Sequence, residues 1–398
     1  MVYRGPDQLP ADRIVDFDVN MPPNLERGFH ESWHNLISST PHRILWTREN
    51  GGHWIVTDGA LLHEFFRQPD RLSNKVLFVP RKTAELHQLI PTTLDPPEHT
   101  PYRNLLNKAL SPGTVRRVSG QVRQVSAELI DSFAGRGECD FIAEYSSLFP
   151  IRIFMSLVDL PEEDVDRLKY WCDALVRPNP DLSFNDATAL LVEYMLPIVR
   201  SRQGGAGGED LLSELMTGEV DGQRITEESA LKLAIQILIA GLDTVVNILG
   251  FIWLYLARTP EVQKQIAEAG DRIGFVEELV RRFPVVSIAR LAQEDIQVDD
   301  VIIRADDVVA MPTMAHGLDP KANVCPMQVD FERAKKSHST FGAGPHRCPG
   351  AHLARTEILA TLDAWFDRIP AFRYDGDGLP KMHGGIVGTM ENLPLRWD

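Results

Sequence analysis

The sequence predicts a mainly α fold with a small β-rich region. Helical periodicity runs through most of the chain, and one apolar stretch, residues 233–257, is far longer than an average globular helix. Strand-like runs are short and few: 53–57, 296–298, 301–303 and 308–311. Neither a linker nor an internal repeat interrupts the pattern, so residues 1–398 are expected to form one domain.

The long stretch opens on Thr226, an N-cap residue, with Glu227 and Glu228 in its first turn, and Pro260 closes it. It is long enough to cross a bilayer. It also carries Gln236, Asp243, Thr244 and Asn247. An Asp near a span's centre costs about 2.5–3.5 kcal/mol on insertion scales. The stretch is therefore read as the buried central helix of a helical domain, with a membrane span as the alternative. Another helix should begin after Asp95-Pro96-Pro97-Glu98, and another carries Glu278 and Arg281 on one face. A further helical pattern follows Gly350 through Ala351, Leu353, Ala354, Ile358, Leu359 and Leu362. The glycine run at 204–208 lacks the Gly-Lys-Ser/Thr ending of a phosphate loop and reads as a surface loop.

Hydrophobic residues make up 43% of the chain, enough for a sizeable core. The formal charge of −15 argues against general nucleic-acid binding. Cys139, Cys172, Cys325 and Cys348 are scattered, which fits a reducing cytoplasm rather than a disulfide framework. The polar first ten residues contain no apolar signal region.

The most informative segment is Phe341-Gly342-Ala343-Gly344-Pro345-His346-Arg347-Cys348-Pro349-Gly350. It places one cysteine in a Gly/Pro-rich loop at the start of a helix. Open N–H groups and the positive dipole end favour thiolate there. Glycines let the backbone approach a flat ligand, and His346 and Arg347 can meet anions. A lone thiolate offered to a large planar cofactor is how haem-thiolate iron is held. Zinc is the alternative, through His338, His346, Cys348 and His352, but no second paired-ligand unit accompanies them.

These residues meet the pattern Phe-x-x-Gly-x-His/Arg-x-Cys-x-Gly in full, and the chain thereby resembles the cytochrome P450 family. From about residue 22 to the end it is most similar to the soluble bacterial camphor-hydroxylase type (class I). The resemblance implies a P450 fold, with haem b lying between the long helix and the cysteine loop. It implies Cys348 as axial iron ligand, with Phe341 and Gly350 flanking it. His99, Arg103, Arg290 and His346 resemble the family's ligands for the haem propionates. Glu278 and Arg281 match its Glu-x-x-Arg element, with Arg333 as third member, a structural brace for the loop.

Ala240-Gly241-Leu242-Asp243-Thr244 lies within the long helix. Small residues at 240 and 241 would make room beside the iron. The Thr244 hydroxyl can bond the Ala240 carbonyl and loosen the helix. Asp243 beside Thr244 suits proton delivery during O2 activation. By resemblance, Lys169 and Arg177 should hold Asp243. Pro349 stands where the camphor-type pattern has an aliphatic residue, which removes one amide donor near the sulfur.

Similarity to the camphor enzyme also marks a substrate pocket: Phe78, His87, Thr92, Gln236, Ile239, Ala240, Val286 and Ile288. His87 stands where that enzyme has a ketone-binding tyrosine. A small apolar terpenoid is expected, with an ionone-like norisoprenoid or related cyclic ketone favoured over camphor. A camphor-type monoterpene remains an alternative, as do a peroxide-using peroxygenase and a non-catalytic haem sensor. No flavin or nicotinamide fingerprint is present, so a two-iron, two-sulfur ferredoxin with its NADH-dependent reductase is expected to supply electrons. Lys335, Lys336 and Arg347 are its expected docking residues. The resemblance further implies a cytoplasmic monomer that engages no membrane.

Overall fold

The structure, a computed structural model, describes residues 2–4, 6–86, 88–176, 179–205, 208 and 210–398. The long helix spans Glu227–Ala257, and the Thr226 side chain accepts from the Ser229 amide at its start. Of its most apolar window, 78% is buried inside the protein. That is the environment of a core helix, as the internal polar residues require.

Two hydrophobic clusters meet along this helix. Its first half, from Ala230 to Leu242, packs with helices Phe149–Leu157, Val165–Val176, Phe184–Gln203 and Leu211–Met216. Its second half, from Val245 onward, belongs to the larger cluster with the sheet and the helix Ala351–Phe366. Trp253 stacks on Phe141 with ring centroids 4.9 Å apart, and meets Trp365 of the Ala351–Phe366 helix edge-on at 5.6 Å. Aromatic pairs of this kind add about 0.5–1.5 kcal/mol each beyond their area burial. They lock the long helix to the helix that follows the cysteine. Asp243 and Thr244 fall between the two clusters.

The largest sheet among the described residues has the strand order Ile44–Thr47, His53–Val56, Val308–Pro312, Ser287–Ala292, Leu72–Ser73. Val309 pairs with Trp54 on one side and with Arg290 on the other. Ile296–Val298 and Val301–Ile303, both expected as strands, pair as a hairpin, with Tyr3–Arg4 added in parallel. The sheet's use is to deliver Arg290 and its neighbours to the interior.

Candidate active site

The cysteine loop is shaped by its glycines. Gly344 has φ +68°, and a Cβ there would meet the Phe66 carbonyl oxygen at 2.5 Å, so only glycine fits. The Cys348 amide donates to the Phe341 carbonyl at 2.8 Å, closing the loop before the Ala351–Phe366 helix. Burial pushes the Cys348 thiol up, against the Gly350 N–H and the charges of Arg103, Arg347 and Arg355. Yet Cys348 keeps substantial accessible surface. An enclosed sulfur with accessible surface lies in a recess of the protein.

The loop is braced from the helix Ile273–Arg282. Arg281 binds Glu278 through two bonds of 2.8 Å, and both side chains are fully buried. Arg281 also donates to the carbonyls of Gly317 and Pro326 at 2.6 and 2.9 Å. Arg333 reaches Glu278 at 3.1 Å and the Val324 carbonyl at 2.7 Å. Burial opposes charge on Glu278, but Arg281, the Asp330 N–H and Arg333 together hold its carboxyl below the usual range. Every partner is matched, which is what a buried ion pair needs.

Glu277 extends this brace and was not anticipated. It bonds His338 at 2.7 Å and Arg355 at 2.8 and 2.9 Å, one upstream and one downstream of Cys348. The His338 bond, with the Arg355 guanidinium, holds the Glu277 carboxyl far below its ordinary range. Arg355 in turn lies over the Phe341 ring, 4.4 Å from its centroid. In the sequence Glu277 is only the first half of a Glu-Glu pair.

A second group of side chains gathers beside the loop. The His99 and His346 rings lie 4.0 Å apart. Burial, then the charge of Arg103, lowers His99 to about 4; burial, then Arg290, His99 and Arg103, lowers His346 to about 2. Arg290 is buried in its strand, and its side chain's one hydrogen bond among the described residues goes to the Ala289 carbonyl, at 2.8 Å. Burial lowers its pKa to about 10, with Asp95 opposing. Arg103 donates to the Arg347 carbonyl and, at 2.8 Å, to Asn107.

On the long helix, residues 233 to 254 are buried except 236, 239, 240, 241 and 244. Gln236, Ala240 and Thr244 are four apart, so the accessible positions form one stripe. The Thr244 hydroxyl approaches the Ala240 carbonyl only at 3.5 Å, and the helix is continuous through this turn. The expected bond is thus present but long, and no break in the helix accompanies it. Gly241 is also required to be small by its neighbour: a Cβ would come within 2.9 Å of the Phe154 ring. Asp243 is buried and accepts from Asn247 Nδ2 at 2.9 Å. Lys169 corrects another expectation. Its ion pair is with Asp173, at 3.6 Å, one turn along its own helix, rather than with Asp243. Arg177 and His87 lie outside the described residues.

Comparison with known proteins settles the family. A family model described as cytochrome P450 matches residues 177–273 and 274–368. A probable cytochrome P450 127A1 of Sinorhizobium fredii is 32% identical over 88% of this chain and 85% of its own length. This chain belongs to the cytochrome P450 family. A mycinamicin IV hydroxylase/epoxidase of Micromonospora griseorubida is 30% identical over 80% of this chain and 82% of its own. The crystal structure of CYP101J2 covers 99% of both chains, with 39% identity and a TM-score of 0.91. The protein is a P450 monooxygenase whose cofactor is haem b and whose reactants are O2 and a small substrate.

The residues of this P450 fit that cofactor. The His346 Nε2 atom is buried with no partner. Beside it stands Arg290, a buried guanidinium with no salt bridge among the described residues. Two propionates are the anions such a cluster can satisfy. Among the described residues no group of three His, Cys, Asp or Glu side chains converges to hold a metal ion.

The expected pocket residues share one property. Phe78, Thr92, Gln236, Ile239, Ala240, Val286 and Ile288 are all partly accessible, while the chain neighbours of Val286 and Ile288, including Ser287 between them, are buried. Val286 also bridges to Val387, a partly accessible residue that the sequence did not single out. Of the expected docking residues, Lys335 and Arg347 are exposed. Lys336 donates to the Phe331 and Arg333 carbonyls at 3.1 and 2.9 Å, so its ammonium serves its own loop.

Proposed function

We propose that this P450, working as one domain in the cytoplasm, hydroxylates a small apolar terpenoid-type compound with electrons from a ferredoxin. Ionone-like norisoprenoids or related cyclic ketones fit the pocket better than camphor. The observation that carries the reading is the accessible stripe on an otherwise buried helix, in a protein whose Cys348 is accessible within a recess. Cys348 supplies the thiolate to the iron, and Phe341 and Gly350 shape its surroundings. His99, Arg103, Arg290 and His346 receive the propionates. Bound haem supplies O2 activation by thiolate-ligated iron.

The chain's own residues do the rest. Ile239, Ala240, Val286 and Ile288, with Phe78 and Thr92, enclose an apolar substrate and exclude water. The Thr244 hydroxyl presents a proton on the accessible stripe. Asp243 resupplies it from the buried side, with Asn247 fixing its carboxylate. Two-electron chemistry without a flavin or nicotinamide fingerprint calls for a separate carrier. Lys335 and Arg347 offer positive charge near the cysteine loop to a two-iron, two-sulfur ferredoxin served by an NADH-dependent reductase.

Titration of the purified ferric protein with β-ionone and with camphor tests the substrate class. Filling the pocket displaces water and moves the Soret band to shorter wavelength. A large shift with ionone and a small one with camphor is expected. A shift with camphor alone would replace the norisoprenoid reading with a camphor-type monoterpene. Product formation driven by hydrogen peroxide as fast as by NADH with ferredoxin would overturn the electron-transfer reading.

A further inference from the structure

We infer that the Gln236 amide recognises an oxygen function on the substrate, one helical turn from the position of oxidation. The inference rests on the terpenoid reading above and narrows it to oxygen-bearing compounds held at that point.

Gln236 is the first residue of the accessible stripe. Its neighbours Ile235 and Ile237 are buried, and the helix around it is apolar. The Oε1 atom is enclosed and has no hydrogen-bond partner. Among the described residues the amide nitrogen makes no hydrogen bond either. Interior amides are almost always bonded, and an unmatched one is unfavourable. A leucine or isoleucine would occupy this position without that cost. The other polar member of the stripe, Thr244, has a proton to carry. Gln236 is left with a donor turned to accessible space and nothing in the protein to receive it.

An accessible amide donor in apolar surroundings favours ligands that carry an acceptor over those that lack one. The donor end calls for an acceptor, so the ligand atom is a carbonyl or hydroxyl oxygen. Geometry then sets which carbon reacts. Gln236 precedes Ala240 by four residues, a rise of about 6 Å along the helix. The substrate's oxygen function lies about that far from the carbon presented beside Ala240. Oxidation should therefore fall on a carbon remote from the existing oxygen, never on the adjacent one.

The test compares two ligands on two proteins. β-Ionone and the hydrocarbon of the same skeleton, with a methylene in place of the carbonyl, are titrated into ferric holoenzyme. The proteins are wild type and Gln236→Leu, each checked for full haem content. In the variant the dissociation constant for the ketone should rise about tenfold. That for the hydrocarbon should stay the same or fall, so the preference for the ketone collapses. A general packing defect would weaken both ligands by one factor, and that result overturns the inference. An unchanged ratio overturns it equally. If neither ligand shifts the wild-type spectrum at full haem content, the norisoprenoid reading falls, and this inference with it. If both bind and only the ratio is unmoved, the inference alone falls.

Discussion

Glu357 should make the protein less stable as pH rises, and Glu357→Gln should remove that effect. The residue lies on the helix after the cysteine, 3% exposed, with no ion pair or hydrogen bond to its carboxyl among the described residues. Burial pushes its pKa from 4.5 up to about 8. The unfolded chain therefore releases this proton near pH 4.5, while the folded protein keeps it until about pH 8. Across that window the folded state binds more protons, so stability falls as pH rises and levels off above it. At pH 7 the difference is about 2.5 pK units, or roughly 3 kcal/mol as an upper figure. For 398 residues, an unfolding entropy of about 2.1 cal/mol/K per residue turns this into about 4 °C in Tm. The assay is thermal unfolding of both holoproteins by circular dichroism, from pH 5 to pH 8. The variant should gain on wild type as pH rises, by about 4 °C at neutrality. A gap that stays constant with pH, or that closes as pH rises, would refute the reasoning.

Three further outcomes follow from the site. Thr244→Ala should keep consuming NADH while product per NADH falls at least about tenfold and peroxide accumulates; unchanged coupling would remove Thr244 from proton delivery. Pro349→Leu restores an amide beside a sulfur that has the Gly350 N–H as its backbone donor. One added bond of about 1 kcal/mol should raise the haem potential by about 40 mV in a redox titration; a potential equal to or below wild type would reject this. Lys335→Glu should slow ferredoxin association several-fold at low salt, with the difference shrinking at high salt. An unchanged rate would place docking elsewhere.

Much of this architecture was legible in the chain itself. Thr226 and Pro260 bracketed the long helix because caps and breakers act locally. Glu278 and Arg281 were paired because residues three apart share a helix face and because they match the family's Glu-x-x-Arg element. What spacing does not reveal is which distant surface that face meets. Hence Glu277, joined to His338 and Arg355, was missed, and so was the packing of Gly241 against Phe154. Lys169 had a closer acid one turn away, Asp173, and local pairing prevailed over a long-range one. The orphaned Gln236 amide could not be recognised in the sequence, because an unmet hydrogen bond is a property of the packed interior.

The central claim is that Cys348 supplies a thiolate to the iron. The ferrous carbon-monoxide spectrum of wild type and of Cys348→Ser tests it most directly, with Cys325→Ser, an exposed cysteine, as control. Wild type and the control should show the long-wavelength Soret band of a thiolate-ligated haem, and Cys348→Ser should lose it. Retention of that band in Cys348→Ser, or its loss in Cys325→Ser alone, would contradict the account.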